Sequence, residues 1–140
     1  MIRSEPCVPL LAAVIGACMA GACRRGDPPP QAPSIAPSTT PVRVTGSEKI
    51  AWDQVANDAK ELARYRYIVY IDDVPVDLAG AACSTTTTVM TFPCSAALPK
   101  LSPGSHRLQL AVEKETEGER QRSLKSGALL LDVLPPNTSP

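Results

Sequence analysis

The stretch YRYIVYIDDVPVDL, residues 65–78, decides the fold class. Apart from Arg66, its first seven residues are β-branched or aromatic, a composition typical of strands. Because side chains alternate across a strand, the odd positions from Tyr65 to Ile71 are predicted to share one face. Asp72 and Asp73 then supply turn chemistry. The stretch therefore predicts two strands joined by a tight turn, the second one over residues 74–78.

Similar signals recur along residues 42–134, and only residues 54–64 allow a helical turn. Turn residues separate the strand-like runs at intervals of about ten, which is typical of an all-β sandwich. The alternation after His106 places Leu108, Leu110 and Val112 on the face toward the core. The other strand-like runs are residues 50–53, 86–92, 106–112 and 128–134.

The composition divides the chain into four regions. Residues 1–23 are apolar and rich in small residues, and they are predicted to be a signal segment. Residues 24–41 include six prolines and are predicted to be a disordered, extended linker that holds a domain away from a membrane. Residues 42–134 form the predicted sandwich, and residues 135–140 form a predicted disordered tail.

Two cysteines near the end of the signal segment are candidates for lipidation. Ile15-Gly16-Ala17-Cys18 and Ala20-Gly21-Ala22-Cys23 both resemble the bacterial lipobox, in which a lipid is attached to the cysteine thiol. Cys18 fits better, because Ile15 supplies the aliphatic residue and the site lies farther from Arg24 and Arg25; Cys23 is the alternative. Ordinary cleavage and an uncleaved anchor remain open, and the positive-inside rule for an uncleaved helix would instead keep the body of the chain in the cytoplasm.

Cys83 and Cys94 are predicted to form a disulfide. A sandwich of about 93 residues with few large side chains buries a modest core, so a cross-link would add needed stability. Closing a loop of this size stabilises a domain by about 3 kcal/mol in the chain-entropy treatment. Two thiols do not complete a structural zinc site, and a redox pair is usually spaced as C-x-x-C. An oxidising compartment, and hence export, is the condition for this bond.

Three segments of the predicted sandwich resemble a fibronectin type III or bacterial immunoglobulin-like domain. Trp52 resembles the buried tryptophan of that family's second strand, and the run 65–70 resembles its third strand. The turn at residues 101–104 resembles the one before its sixth strand. Arg107 stands where the family often has a tyrosine, so the sandwich is a firmer prediction than the subfamily. The resemblance implies a single immunoglobulin-like sandwich of about seven strands.

Composition argues against several functions. The 14 basic and 14 acidic residues balance, so the markedly basic surface of a nucleic-acid-binding protein is not expected. The single histidine, His106, leaves little material for a histidine metal cluster or a histidine-dependent hydrolase. Asp72, Asp73 and Asp77 lack the spacing and the glycine of a calcium loop and are interpreted as solvated turn residues. We therefore predict no catalytic residue, no metal and no cofactor.

These observations lead to one expected function and one alternative. The expected protein is a lipoprotein of the cell envelope, anchored in the membrane and exposed in the periplasm or on the cell surface, with a non-catalytic binding, adhesion or structural role. Its expected partners are membrane lipid, through the anchor, and an unidentified protein or glycan. The alternative is a carbohydrate-binding or accessory module of a secreted enzyme system. Exposed aromatic side chains would favour that alternative, and Tyr70 is the candidate.

Overall fold

The computed structural model of the protein describes residues 26–86 and 89–137. The predicted signal segment, with Cys18 and Cys23, lies outside these residues. Over the described part the chain is almost entirely strand and loop, as predicted. The elements are β1 (Val42–Val44), β2 (Lys49–Val55), α1 (Ala59–Leu62), β3 (Tyr65–Ile71), β4 (Val74–Asp77), β5 (Ala82–Cys83), β6 (Thr91–Ala97), β7 (Gly104–Thr116), β8 (Glu119–Arg122) and β9 (Leu129–Val133).

The strands form two sheets that pack as a sandwich. The larger sheet has the order β1-β9-β7-β3-β4, with β8 also paired to β7, and the smaller sheet has the order β2-β6-β5. All pairs are antiparallel except β1 with β9. This arrangement fits an immunoglobulin-like β-sandwich, and it confirms the prediction of an all-β fold.

The core lies between the sheets, on the faces that the sequence alternation indicates. Tyr67 and Val69 of β3 lie beside Leu108, Leu110 and Val112 of β7, and all five are buried. The smaller sheet contributes a second set to the same core: Ile50, Trp52, Cys94 and Ala96. The rings of Trp52 and Tyr67 meet edge-on with their centroids 4.9 Å apart, a favourable aromatic geometry.

Tyr70 is buried, so its interpretation as an exposed aromatic was wrong. It lies on the outer face of the larger sheet with Ile68 and Ala111, and 9% of its surface is exposed. Strand β8 and the chain that follows it bring two cations to Tyr70. Arg122 Nη1 donates a hydrogen bond to the Tyr70 hydroxyl at 2.9 Å, and Lys125 Nζ lies 4.1 Å from the ring centroid. Alternation in β3 could not reveal this cover, because it comes from a distant segment.

The proline-rich segment packs against the sandwich, so the prediction of a disordered linker was wrong for its described part. Pro33 and Ile35 are buried, and Ile35 belongs to the main core. Ser34 exchanges two backbone hydrogen bonds with Asp53 of β2, at 2.8 and 3.0 Å. The Ser38 amide donates to Ala128 O at 3.3 Å, and its hydroxyl accepts from the Leu130 amide at 3.0 Å. The segment therefore crosses from β2 of the smaller sheet to the start of β9 in the larger sheet.

Proline explains why this segment gave no strand signal. A proline has no backbone N–H and so cannot donate within a ladder. Ser34 lies one residue after Pro33, and its pairing with Asp53 stays a single isolated bridge. The segment is held in place by the burial of Pro33 and Ile35, and not by a continuous ladder of backbone hydrogen bonds.

Two other predictions need adjustment. The strand expected over residues 86–92 begins only at Thr91, because Met90 has φ of 53° and breaks the extended backbone before it. The helical turn expected within residues 54–64 is confirmed as the four-residue helix α1. Within residues 26–86 and 89–137, no helix has the length and apolar character needed to cross a membrane.

Candidate functional site

The predicted disulfide between Cys83 and Cys94 is present. The two residues stand directly opposite each other on β5 and β6. In the adjacent pair, Ser84 and Pro93, Ser84 N donates a hydrogen bond to Pro93 O at 2.8 Å, so that pair is of the hydrogen-bonded kind. Hydrogen-bonded and non-hydrogen-bonded pairs alternate along an antiparallel ladder, so the cysteines occupy the closer, non-hydrogen-bonded kind. The bond closes the short strand β5 onto the smaller sheet.

Tyr67 connects the disulfide to the larger sheet. Its hydroxyl oxygen lies 3.6 Å from the Sγ atoms of both Cys83 and Cys94. Burial raises the pKa of Tyr67 to about 12, an effect that the indole N–H of Trp52 partly offsets. The phenol is therefore neutral at physiological pH. Tyr67 also lines one side of a groove at the surface.

This groove, of about 500 Å³, lies beside Tyr67, between α1, the start of β3 and the loop from β4 to β5. Polar and apolar atoms contribute nearly equally to its lining. The lining residues include Leu62, Tyr67, Leu78 and Ala81, together with Arg66 of β3 and Asp77 at the end of β4. The sequence does not reveal this groove, because its walls come from three separate segments.

Helix α1 is fixed by hydrogen bonds at its beginning and by an ion pair to β7. Asp58 Oδ1 accepts a hydrogen bond from the Glu61 amide at 2.7 Å, so Asp58 is the N-cap. Glu61 Oε2 accepts from the Asn57 amide at 2.8 Å, and Glu61 Oε1 lies 3.1 Å from Lys114 Nζ. The spacing of Asp58 and Glu61 is a capping signal that the sequence does contain.

The ion pair between Glu61 and Lys114 is largely shielded from water. The side chains are 15% and 7% exposed, respectively. Burial alone would raise the pKa of Glu61, but the Asn57 amide and the Lys114 ammonium outweigh it, so the pKa is lowered. Lys114 thus holds one wall of the groove against the larger sheet.

A second cluster lies at the opposite end of the sandwich, around the turn from β3 to β4. Asp72 and Asp73 have φ of 50° and 69°, which fits a two-residue hairpin turn. Asp72 Oδ1 accepts from the Arg107 amide at 2.9 Å, and Asp72 Oδ2 lies 2.7 Å from His106 Nδ1. The predicted role of these aspartates as turn residues is confirmed, but Asp77 lies apart from them, at the groove.

His106, Asp72 and Ser102 are the residue types of a hydrolytic triad, but their hydrogen bonds do not suit one. Nε2 of His106 lies 2.9 Å from the Ser102 carbonyl oxygen and 3.3 Å from the Ser102 hydroxyl. Asp72 first, and the Ser102 carbonyl second, raise the pKa of His106. A histidine that donates through both nitrogens cannot accept a proton from a serine. The cluster instead joins the loop before β7 to the β3–β4 turn.

Strand β4 is an exposed edge of the larger sheet. Val74 and Val76 pair with Ile71 and Val69 of β3, yet they are 61% and 43% exposed. Leu78 N donates to Tyr67 O at 2.9 Å, so alternation places the backbone of residue 75 toward solvent. That residue is Pro75, which offers no N–H to a neighbouring chain.

The charged run from Glu113 to Arg122 forms the hairpin that the sequence predicts, but Lys114 within it is buried instead of solvated. Glu117 and Gly118 make its turn with φ of 50° and 83°, and Arg122 pairs with Glu113 across the strands.

Among residues 26–86 and 89–137, no group of three or more histidine, cysteine, aspartate or glutamate residues is placed to hold a metal ion. No family model, curated protein or solved structure matches the chain.

Proposed function

We propose that the chain is a lipid-anchored, extracytoplasmic binding protein, whose fibronectin type III-like or bacterial immunoglobulin-like sandwich binds a protein partner and performs no catalysis. The partner contributes an extended segment with aliphatic side chains. That segment lies in the groove between α1, β3 and the β4–β5 loop.

Two observations support export. The lipobox-like sequence ending at Cys18 follows an apolar segment of signal-peptide length. The Cys83–Cys94 disulfide is a bond that persists in oxidising compartments and is rare in the cytosol of most organisms. The two arguments are independent, because one rests on the first 23 residues and the other on the sandwich.

The groove is the observation that carries the choice of partner. It is open, has a volume of about 500 Å³, and combines alanine, leucine and tyrosine side chains with the charged groups of Arg66 and Asp77. Such a surface suits the side chains of a peptide, with the two charges available for polar groups of its backbone or its flanks. The exposed edge strand β4 lies next to it and enlarges the accessible surface.

The aromatic residues argue against the carbohydrate-binding alternative. Sugar recognition by stacking needs exposed aromatic faces, whereas four of the five aromatic side chains are buried. The fifth, Tyr65, is half-buried in strand β3, and burial raises the pKa of its hydroxyl. The protein-partner hypothesis is therefore the better supported of the two.

A photo-crosslinking residue at Thr85, on the rim of the groove, tests this function in cells that produce the full chain. We expect a cross-link to one defined protein, and we expect Ala63→Trp to abolish it by filling the groove. Ala51→Trp is the matched control, because Ala51 is exposed on β2, away from the groove. A cross-link that survives Ala63→Trp, or that competing oligosaccharide removes, would contradict a peptide partner in the groove.

A further inference from the structure

The N-terminal end of the described chain enters the sandwich at a defined place. The Asp27 carbonyl oxygen accepts a hydrogen bond from Gln121 Nε2 at 3.1 Å, and the Pro28 carbonyl lies 3.5 Å from Lys114 Nζ. Asp27 and Pro28 also line a hollow together with Asp58 of the helix cap. We call the end of the sandwich that carries α1 and the β7–β8 hairpin the entry end.

Because the proline-rich segment is packed on the sandwich, little chain remains for a tether. From Cys18 to Asp27 there are nine residues, which span at most about 30 Å when fully extended. From Cys23 the span is four residues, or about 13 Å. Strand β7, with 13 residues, is about 43 Å long. A tether shorter than the domain keeps the entry end near the anchor.

Two exposed apolar residues lie at this same end. Val89 and Met90, in the loop between β5 and β6, are 77% and 49% exposed. The Met90 carbonyl accepts from the Ala56 amide at 3.1 Å, which ties the loop to the residues before α1. Met90 also has a left-handed backbone, with φ of 53°, which is uncommon for a residue other than glycine, asparagine or aspartate. A valine and a methionine so exposed are suited to contact with a lipid interface.

We propose that, in the anchored protein, the entry end faces the bilayer and that Val89 and Met90 contact the lipid. The inference rests on the proposed lipid anchor, because the short tether supplies the proximity. It implies that the β3–β4 turn and Lys100, at the opposite end, point away from the membrane. The groove, which has α1 as one wall, then lies at the membrane-facing end of the sandwich.

Site-directed fluorescence in lipid vesicles tests this orientation with the full lipidated protein. An environment-sensitive fluorophore is attached to Val89→Cys or, as the matched control, to Lys100→Cys, an exposed residue at the opposite end. In both variants, whichever of Cys18 and Cys23 carries no lipid is changed to serine. Intact mass establishes that lipid is attached, and near-ultraviolet circular dichroism checks that each variant is folded.

We expect a lipid-borne quencher to reduce emission from the label at residue 89 severalfold more than from the label at residue 100. An aqueous quencher should give the reverse order. Equal accessibility of the two labels in lipidated, vesicle-bound protein would overturn the orientation and leave the anchor intact. A protein without the mass of the lipid would overturn both the anchor and the orientation.

Discussion

Asp72 and His106 lie 34 positions apart in sequence and meet with Oδ2 and Nδ1 2.7 Å apart. The contact joins the β3–β4 turn to the start of β7, and the second ring nitrogen extends it to the Ser102 carbonyl. The loop from β6 to β7 is thereby held to the same end of the sandwich as the turn. One imidazole ring fixes two loops.

This contact makes the stability of the domain depend on pH. The pKa of His106 in the folded protein is raised above 6.5, so its contribution is present below about pH 6.5 and is lost as pH rises through the folded value. The Arg107 amide first, and His106 second, lower the pKa of Asp72 below 3.8. That contribution is present above about pH 3.8 and is lost as pH falls through the lowered value. We expect maximal stability between these limits, measured as urea midpoints across pH.

The His106→Gln variant is the control for the alkaline side of this profile. His106 is the single histidine of the chain, so the decline as the pH rises above about 6.5 should disappear in this variant. The acidic side should remain, because Asp72 still accepts from the Arg107 amide. A decline that persists above pH 6 without the imidazole would show that another group is responsible.

Local patterns predicted those parts of the fold in which one segment specifies its own structure. The alternation of Tyr67 and Val69 identified the buried face of β3, and Asp72-Asp73 identified the turn after it. The spacing of Cys83 and Cys94 identified the cross-link, because two strands joined by a short loop bring such residues together. Each of these signals lies within about a dozen residues.

Contacts between distant segments could not be predicted in this way. Nothing near Glu61 indicates that Lys114 will face it, and nothing near Tyr70 indicates the cover by Arg122. The proline-rich segment was misinterpreted because its composition is that of a spacer, while the burial of Ile35 depends on a space left between two sheets. The groove was missed for the same reason, since it exists only after the strands pack.

Packing of the proline-rich segment is tested by Ile35→Ala. Ile35 is 8% exposed and belongs to the main core, so truncation should lower the free energy of unfolding by about 2 kcal/mol or more. Pro29→Ala, an exposed change in the same segment, should have little effect. Denaturant unfolding of the two variants measures the difference. Equal stabilities would mean that the segment is a free linker after all.

The ion pair that fixes α1 is tested by Lys114→Met. The substitution leaves the shielded Glu61 carboxylate without its cation, and we expect a loss of about 2–3 kcal/mol in the free energy of unfolding. Asp132→Asn is the matched control, because it breaks an exposed pair with Arg43 whose atoms are 4.0 Å apart. That change should cost less than about 0.5 kcal/mol. Similar losses from both variants would argue against a structural role for the shielded pair.

The contribution of the disulfide is measured by reduction. Opening the Cys83–Cys94 bond, with a sequence separation of 11, should destabilise the domain by about 3 kcal/mol. For a domain of this size the thermal midpoint should then fall by roughly 12–24 °C. The double variant Cys83→Ala, Cys94→Ala should have a thermal midpoint close to that of the reduced protein, and reductant should not change it. A wild-type midpoint that reductant leaves unchanged, with free thiols verified, would contradict this expectation.

Pro75 protects the open edge of the larger sheet, and its replacement should promote self-association. In Pro75→Thr the residue gains an N–H that points to solvent beside Val74 and Val76, so the edge can pair with the same edge of a second copy. We expect the molar mass from light scattering to rise with protein concentration in this variant. In the wild type it should stay at the mass of a monomer. Pro75→Lys restores the same N–H but adds a charge that opposes pairing, and it should stay monomeric. If both variants associate equally, the backbone donor alone is sufficient; if neither does, Pro75 is not what keeps the edge unpaired.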